Sequence, residues 1–359
     1  MLAARRHALI LRLARERGSV QVAELVGILG VSDVTVRRDL DQLARSGQLE
    51  KVHGGAVLPP GTEPAAGRGT GHGRDPGEDT ELPVIGALIP KSSYYFNRVV
   101  DGVRRVLRER EPEGRLLVAV SDYQSGQDLS LAMGLVDSGA QALLLAPTDE
   151  VEWAGALGVP AVLVERRSHG PAATATSWVR TDHETGAGLA VRHLHELGHR
   201  RIAVFARGET PTSRSVLSGF EQAAEALALT DCPRVVGTDL PGWPTWGPEQ
   251  IDDLAGRLRA AEATALLVHS DEDALALLQN GFANRFAVPR EMSIVAYDDE
   301  FSALTRPALT AVSPPKEAVG EIAVRTLLDL VRDPAAPARH VDVSPRLIVR
   351  ESTGVARTL

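Results

Sequence analysis

From Val84 onward, short apolar runs alternate with amphipathic stretches of helical period, and that alternation leaves few folds open. The runs Val84–Ile89, Leu116–Val120, Ala142–Leu145 and Ala161–Val164 are strand-sized, with helical stretches at Arg98–Arg110 and Leu129–Asp137 between them. A second series follows: helix Gly186–Leu197, strand Ile202–Phe205, helix Ser213–Leu227, strand Arg234–Gly237, helix Pro248–Ala260, strand Ala265–His269, helix Glu272–Asn280 and strand Ser293–Tyr297. Strands alternating with helices fit parallel sheets covered by helices on both faces. Two such series predict an α/β body over residues 84–355, made of two doubly wound lobes with a cleft between them. Ligands in open α/β sheets sit beyond the carboxyl ends of the strands.

Polar residues stand at several of those ends. Glu165, Arg166 and Arg167 follow Ala161–Val164. Ser270 and Asp271 follow Ala265–His269, and Asp298 and Asp299 follow Ser293–Tyr297. The segment after the first run brings Tyr94, Tyr95 and Phe96, and Arg214 opens the helix after Ile202–Phe205. Charged side chains make bidentate hydrogen bonds to vicinal hydroxyls, and aromatic rings pack the C–H face of a sugar. The set points to a small polyol or sugar in the cleft. For any single member, a loop or cap role at a strand end explains the residue equally well.

The first 58 residues differ in charge. Nine Lys and Arg against six Asp and Glu make this segment +3, which leaves −11 for the rest of a chain of net charge −8. A basic head on an acidic body gains meaning when the head also carries a nucleic-acid-binding pattern. Leu2, Leu9, Ile10 and Leu13 recur at helical spacing, and a second short helix carries Val22, Leu25, Val26 and Leu29 on one side. Gly30-Val31 turns the chain and Ser32 is placed to cap the next helix. That helix buries Val36, Leu40 and Leu43, while its first turns present Asp33, Thr35, Arg37 and Arg38. Gln48–Val52 and the His53-Gly54-Gly55-Ala56 turn complete a hairpin. Three short helices and a hairpin make a winged helix-turn-helix.

A major groove admits one helix, whose N-terminal residues meet base edges. Arg37 and Arg38 suit a guanine edge or phosphates, and Ser32 and Thr35 suit phosphate oxygens. Lys51 and His53 on the wing would rest on the DNA backbone or minor groove. The competing explanation is a helical scaffold whose arginines pair with Asp39 and Asp41. Residues 59–83, rich in Pro and Gly and without apolar period, read as a flexible linker.

The stretch GSVQVAELVGILGVSDVTVRRDLDQLARSGQLEKVHGGA resembles the DeoR-type winged helix, over about residues 3–58. The resemblance implies that Ser32, Thr35, Arg37 and Arg38 face DNA and that His53 belongs to the wing. The body is similar to the effector-binding core of the LacI/GalR repressors, itself related to periplasmic sugar-binding proteins. That likeness runs from about residue 83 to 354. It rests on TDHETGAGLAVRHLHELGHRRIAVF, TSRSVLSGFEQAAEALAL, LLVHSDEDALALL, SIVAYDDE, RPALTAVSPPKEAVGEIAVRTLL and PRLIVREST, in the family's order. It implies a homodimer, hinge motion between lobes and a ligand in the cleft. Position by position, the family's effector contacts fall on Tyr95, Phe96, Glu165 and Arg166, and on Arg214, Ser270, Asp271 and Asp298. A family aromatic corresponds to Trp243 or Trp246. The chain departs from the family at Ser270, where Asn is common, and at Lys316, where a bulky apolar residue or Met is common. Lys316 is expected either in solvent or against an anionic effector group. The family's own helix-turn-helix and hinge helix are replaced by the DeoR-type head and the linker.

Other chemistries fit less well. A single cysteine, Cys232, excludes an intramolecular disulfide and a cysteine-built zinc site. His193, His195 and His199 look like metal ligands, but helix positions two apart do not share a face. There is no G-x-S-x-G elbow, phosphate loop or Rossmann fingerprint, so neither an enzyme nor a cofactor is expected. Arg and Glu interrupt the first residues, unlike a signal peptide or membrane span. The expectation is a cytoplasmic, sequence-specific DNA-binding repressor that reads operator DNA with its head and a small-molecule effector, a sugar, in its cleft. A purine- or sugar-phosphate-sensing regulator and a solute-binding protein for transport stand as alternatives.

Overall fold

The computed structural model describes residues 19–29, 31–45, 49–52 and 54–57 of the head, with positions 6, 10, 13 and 14 before them. In the body it describes 84–357 apart from 112–113, 125, 149–150, 152, 169–174, 209, 230–231 and 241–243. The linker expected at 59–83, His53 and Trp243 lie outside the described residues.

The head contains β1 (Ser19–Gln21), α1 (Val22–Leu29), α2 (Asp33–Arg45), β2 (Glu50–Val52) and β3 (Gly55–Val57). Strand β3 lies between the other two and runs antiparallel to both. Gly54, at φ +82, makes the turn into it, in a region that disfavours side chains. The close approach to β1 also needs glycine, because a Cβ on Gly55 would lie 2.0 Å from the Val20 carbonyl oxygen. Val36, Leu40 and Leu43 of α2 are buried with Leu25, Leu29, Ile10 and Leu13, as their spacing predicts. Strand β1 was not foreseen, since three residues carry too little period to declare themselves.

The first lobe holds β4 (Val84–Ile89), α3 (Tyr94–Arg110), β5 (Arg115–Val120), α4 (Asp128–Asp137), β6 (Ala142–Leu145), β7 (Ala161–Val164) and β8 (Ser177–Thr181). The second holds α5 (His183–Glu196), β9 (Ile202–Ala206), α6 (Pro211–Ala226), β10 (Arg234–Val236), α7 (Pro248–Ala260), β11 (Ala265–His269), α8 (Asp271–Gln279), β12 (Ser293–Tyr297) and β13 (Thr310–Ser313). The chain then returns. Helix α9 (Lys316–Arg332) and β14 (His340–Val343) complete the first lobe, and β15 (Arg346–Ile348) completes the second. The first sheet is ordered β14-β8-β7-β6-β4-β5 and is parallel throughout. The second is ordered β10-β9-β11-β12-β13-β15, with only β15 antiparallel.

Side-chain alternation explains the layering. Along β4, Ile85, Ala87 and Ile89 pack with α3 and α9. Leu88 points the other way, into the cluster that contains Ala132 and Leu135 of α4. The second sheet is sandwiched likewise, with α7 and α8 on one face and α5 and α6 on the other. Helices α3 and α9 cross at Gly102 and Gly320. A Cβ there would lie 2.1 Å from the Glu317 carbonyl oxygen and 2.0 Å from that of Val99, so only glycine lets the backbones touch.

Two of the three histidines noted in the sequence, His199 and His193, have side-chain partners in the protein. His199 Nδ1 lies 2.8 Å from Thr264 Oγ1, and its Nε2 lies 3.0 Å from Ser293 Oγ. His193 Nε2 lies 3.0 Å from Thr353 Oγ1. No described helix is long and apolar enough to cross a membrane.

Candidate functional site

Five strand ends converge on a cavity of about 220 Å³ between the lobes. From the first lobe, the segment after β4 contributes Lys91, Ser93, Tyr94, Tyr95 and Phe96, and the turn after β5 contributes Tyr123. From the second, Arg207, Thr210 and Thr212 follow β9, and His269 to Glu272 join β11 to α8. Asp298, Glu300 and Phe301 follow β12. These are the carboxyl ends at which open α/β sheets place ligands.

Asp271 fixes the second-lobe wall. Its Oδ2 accepts the backbone N–H groups of Glu300 at 2.6 Å and Phe301 at 2.7 Å. Its Oδ1 is buried with no donor among the described residues, as is Asp298 Oδ1. Asp298 and Asp299 stand at φ +96 and +58, a region in which Asp is better tolerated than most residues. Burial, reinforced by the Asp271 charge, pushes the Asp298 carboxyl up to about 8. Burial takes the His269 imidazole down to about 3, so it is neutral. Asp273 organises the rest of this wall. It accepts from Arg207 Nε at 2.5 Å, from Trp246 Nε1 at 3.0 Å and from the Ser270 N–H at 3.1 Å. One aromatic ring from each lobe, Tyr94 and Phe301, meets the other edge-on at 4.8 Å.

Behind the first-lobe wall lies a buried carboxylate. The Tyr95 hydroxyl donates to Glu165 Oε1 at 2.7 Å. The Thr181 N–H and hydroxyl both donate to Glu165 at 2.9 Å, and His183 Nε2 lies 3.4 Å away. Burial raises this carboxyl, but His183, Thr181 and Tyr95 together outweigh it and bring Glu165 down to about 2. His183 Nδ1 lies 3.1 Å from the Tyr297 hydroxyl on β12. Glu165 thus joins a cavity ring to the segment between the lobes and, through His183, to the second sheet. Arg166, also buried, donates to the carbonyls of Pro147 at 2.6 Å and Glu165 at 2.7 Å.

Of the expected effector contacts, the structure brings Tyr95, Phe96, Ser270, Asp271 and Asp298 to the cavity. Glu165 and Arg166 stand behind it. Arg214 is exposed on α6 and does not line it; the guanidinium that does is Arg207. Trp246 packs on Phe205 at 5.1 Å and lies outside the lining. Lys316 is neither solvated nor free. It is buried, 2.6 Å from Glu300 Oε1, donates to the Asp298 carbonyl and lies 5.3 Å from the centre of the Tyr95 ring. Arg207, Tyr123, Glu272 and Phe301 were missed. Arg207 directly follows Ala206, so the strand-end rule alone finds it.

On the head, α2 presents Ser32, Asp33, Val34, Arg37 and Arg38 to solvent, with Thr35 half-buried. Asp33 pairs with Arg37, which donates to it through Nε at 2.5 Å and Nη2 at 3.2 Å, and so orients the guanidinium. Asp39 binds Arg6 at 2.5 Å, as the scaffold explanation expects of an arginine, while Asp41 binds Lys51 and adds its charge to the surroundings of Arg37. Val34, 74% exposed beside these arginines, suits a thymine methyl group. Ser32 Oγ meets Thr35 Oγ1 at 2.9 Å and fixes both hydroxyls at the helix start.

The family model for a DeoR-like helix-turn-helix domain matches residues 6–61, and that for a periplasmic binding protein-like domain matches residues 191–353. The chain is 27% identical to the arabinose metabolism transcriptional repressor of Geobacillus stearothermophilus, over 92% of this chain and 90% of that one. It is 32% identical to the HTH-type transcriptional regulator MalR of Streptomyces coelicolor, over 77% and 79% of the two chains. Among solved structures, a LacI family transcriptional regulator from Enterococcus faecium with bound ribose matches 76% of this chain and 100% of that one. The TM-score is 0.62 at 21% identity. With a winged head ahead of two doubly wound lobes, the chain is a transcriptional regulator of the LacI family that carries a DeoR-type DNA-binding head.

Proposed function

We propose that the chain represses transcription by docking α2 and the wing on operator DNA, and that a sugar in the interlobe cavity sets its DNA affinity. The observation that carries the effector half is a monosaccharide-sized cavity at five strand ends, lined by carboxylates and aromatic rings. The relative from G. stearothermophilus, named for arabinose metabolism, and the E. faecium regulator, which holds ribose, support a sugar. On the DNA half, Arg37 and Arg38 meet base edges or phosphates, and Lys51 reaches the backbone from the wing. Two heads on a cytoplasmic homodimer address a two-fold site. The cavity binds its ligand without transforming it.

An effector shifts DNA affinity only through its differential affinity for two arrangements of the lobes. Tyr94 with Phe301, Lys91 with Glu272 at 4.0 Å and Arg98 with Glu300 at 3.6 Å all span the lobes and change with their angle. A mobility-shift assay with the DNA upstream of the gene tests the proposal. A specific complex that a sugar weakens or strengthens supports it. No specific complex, with or without sugars, overturns it.

A further inference from the structure

The charged groups of the cavity are paired unevenly. Arg207 Nη2 lies 3.1 Å from Glu272 Oε2, and Arg207 Nε lies 2.5 Å from Asp273 Oδ2. Lys91 approaches the same Glu272 oxygen at 4.0 Å. Lys316, adjoining the cavity, is answered by Glu300 at 2.6 Å. Arg166, behind the wall, donates to two backbone carbonyls. Every cation on the described lining therefore has a carboxylate already. Asp271 Oδ1 has the opposite problem, being a buried acceptor with no donor among the described residues on a side chain only 1% exposed, and Asp298 Oδ1, on a carboxyl held up to about 8, is likewise buried with no partner among them. With Asp298 holding its proton up to about 8, the remaining lining carboxylates Asp271, Glu272 and Glu300 still outnumber Lys91 and Arg207. What Asp271 lacks is a donor.

We infer, resting on the sugar-binding proposal above, that the cavity takes a sugar bearing only hydroxyl or amino groups and turns away phosphorylated sugars, and that Glu272 sets this preference by masking Lys91 and Arg207. A hydroxyl or ammonium group donates to Asp271 Oδ1, a hydroxyl also pairs with the protonated Asp298 carboxyl, and both relieve the cost of buried polar groups left without partners. A phosphate brings up to two negative charges among carboxylates, in a partly desolvated site where like charges repel strongly. Glu272 is the point of control because it touches both lining cations. Replacing it leaves the Asp271 contacts to Glu300 and Phe301 in place, while freeing Lys91 and one edge of Arg207.

Isothermal titration calorimetry on the full chain tests this with matched ligands. The probes are ribose and ribose 5-phosphate; glucose, glucosamine and glucose 6-phosphate; and hypoxanthine as a ligand that is not a sugar. For any ring that binds, the neutral or amino form is expected to bind at least about tenfold more tightly than its phosphate, as an unanswered like charge at short range would give. In Glu272→Gln, with melting confirming the fold, that preference is expected to vanish or reverse. The wild-type comparison stands even if the variant unfolds. A phosphate that binds the wild type as well as its parent sugar overturns the inference and leaves the sugar proposal intact. Undiminished discrimination by folded Glu272→Gln overturns the role of Glu272. Binding of hypoxanthine alone, or of no sugar, overturns the sugar proposal and the inference together.

Discussion

Replacing Tyr95 by Phe removes one oxygen and leaves the ring in the cavity wall. That oxygen donates to Glu165 at 2.7 Å. A hydrogen bond to a charged group contributes roughly 1.5–3 kcal/mol. Glu165 keeps the two donors of Thr181 and the neighbouring His183, so the lower end applies, about 1.5 kcal/mol. At roughly 2–4 °C per kcal/mol for domains of 150–250 residues, the melting temperature falls by about 3–6 °C. The size is consistent with the titration of the network. A carboxyl brought from 4.5 to about 2 contributes about 3 kcal/mol at neutral pH, shared among several donors. Because the folded value is depressed, this contribution is present above about 4.5 and is lost as pH falls through about 2. Losing one donor raises the folded value, so acid unfolding of the variant begins at higher pH. Differential scanning calorimetry of both proteins at pH 7, with an acid titration followed by circular dichroism, measures both effects. An unchanged melting temperature together with an unchanged acid midpoint refutes the assignment of Glu165 as the anchor of Tyr95.

Changing Arg37 and Arg38 together to Ala is expected to abolish the specific mobility shift while moving the melting temperature little; a large fall in melting temperature would mark them as scaffold residues. Gly320→Ala places a Cβ 2.0 Å from the Val99 carbonyl and is expected to cost about 1–3 kcal/mol, read as an earlier urea unfolding midpoint. A wild-type midpoint would show that α3 and α9 are not held at that crossing. Asp298, at about 8 against 3.8 unfolded, keeps a proton that the unfolded chain gives up, so the wild type loses stability as pH rises from about 4 to 8. Asp271, Glu272, Glu300, Lys316, Arg207, Tyr95 and Tyr123 surround it electrostatically. Asp298→Asn removes the titration, and its melting temperature relative to wild type should climb across that range. A pH-independent difference sinks the assignment.

The sheets were legible because strands such as Ala142–Leu145, buried on both faces, leave continuous apolar runs. Ser177–Thr181 was not, since it carries Trp178 and Arg180, and Arg180 pairs with Glu184 and Asp342. The cavity was partly legible. Strand ends are local features, and they pointed to Ser270, Asp271 and Asp298, which line the cavity. Arg214 was named both from its place opening the helix after Ile202–Phe205 and from the family likeness, yet the first turn of α6 leaves Arg214 exposed while Arg207 follows the strand end itself and lines the cavity. Pairings such as Lys316 with Glu300, and Tyr94 with Phe301, join different elements and have no signature along the chain.

The return of the chain after β13 has a consequence for biosynthesis. The first lobe lacks α9 and its edge strand β14 until residues 316–343 have emerged. The second lacks β15 until 346–348 have emerged. It also lacks Ser352, whose buried hydroxyl donates to the Ile294 carbonyl at 2.6 Å and accepts the Thr310 N–H at 2.8 Å. Neither lobe can close its core in the order in which the ribosome delivers it, so both wait, with apolar surface uncovered, for about the last eighth of the sequence. The head, contiguous within its first 57 residues, has no such delay. A newly made chain therefore carries a finished DNA-binding module before it has a finished sensor, and nascent chains stalled late in synthesis are those most in need of chaperone protection.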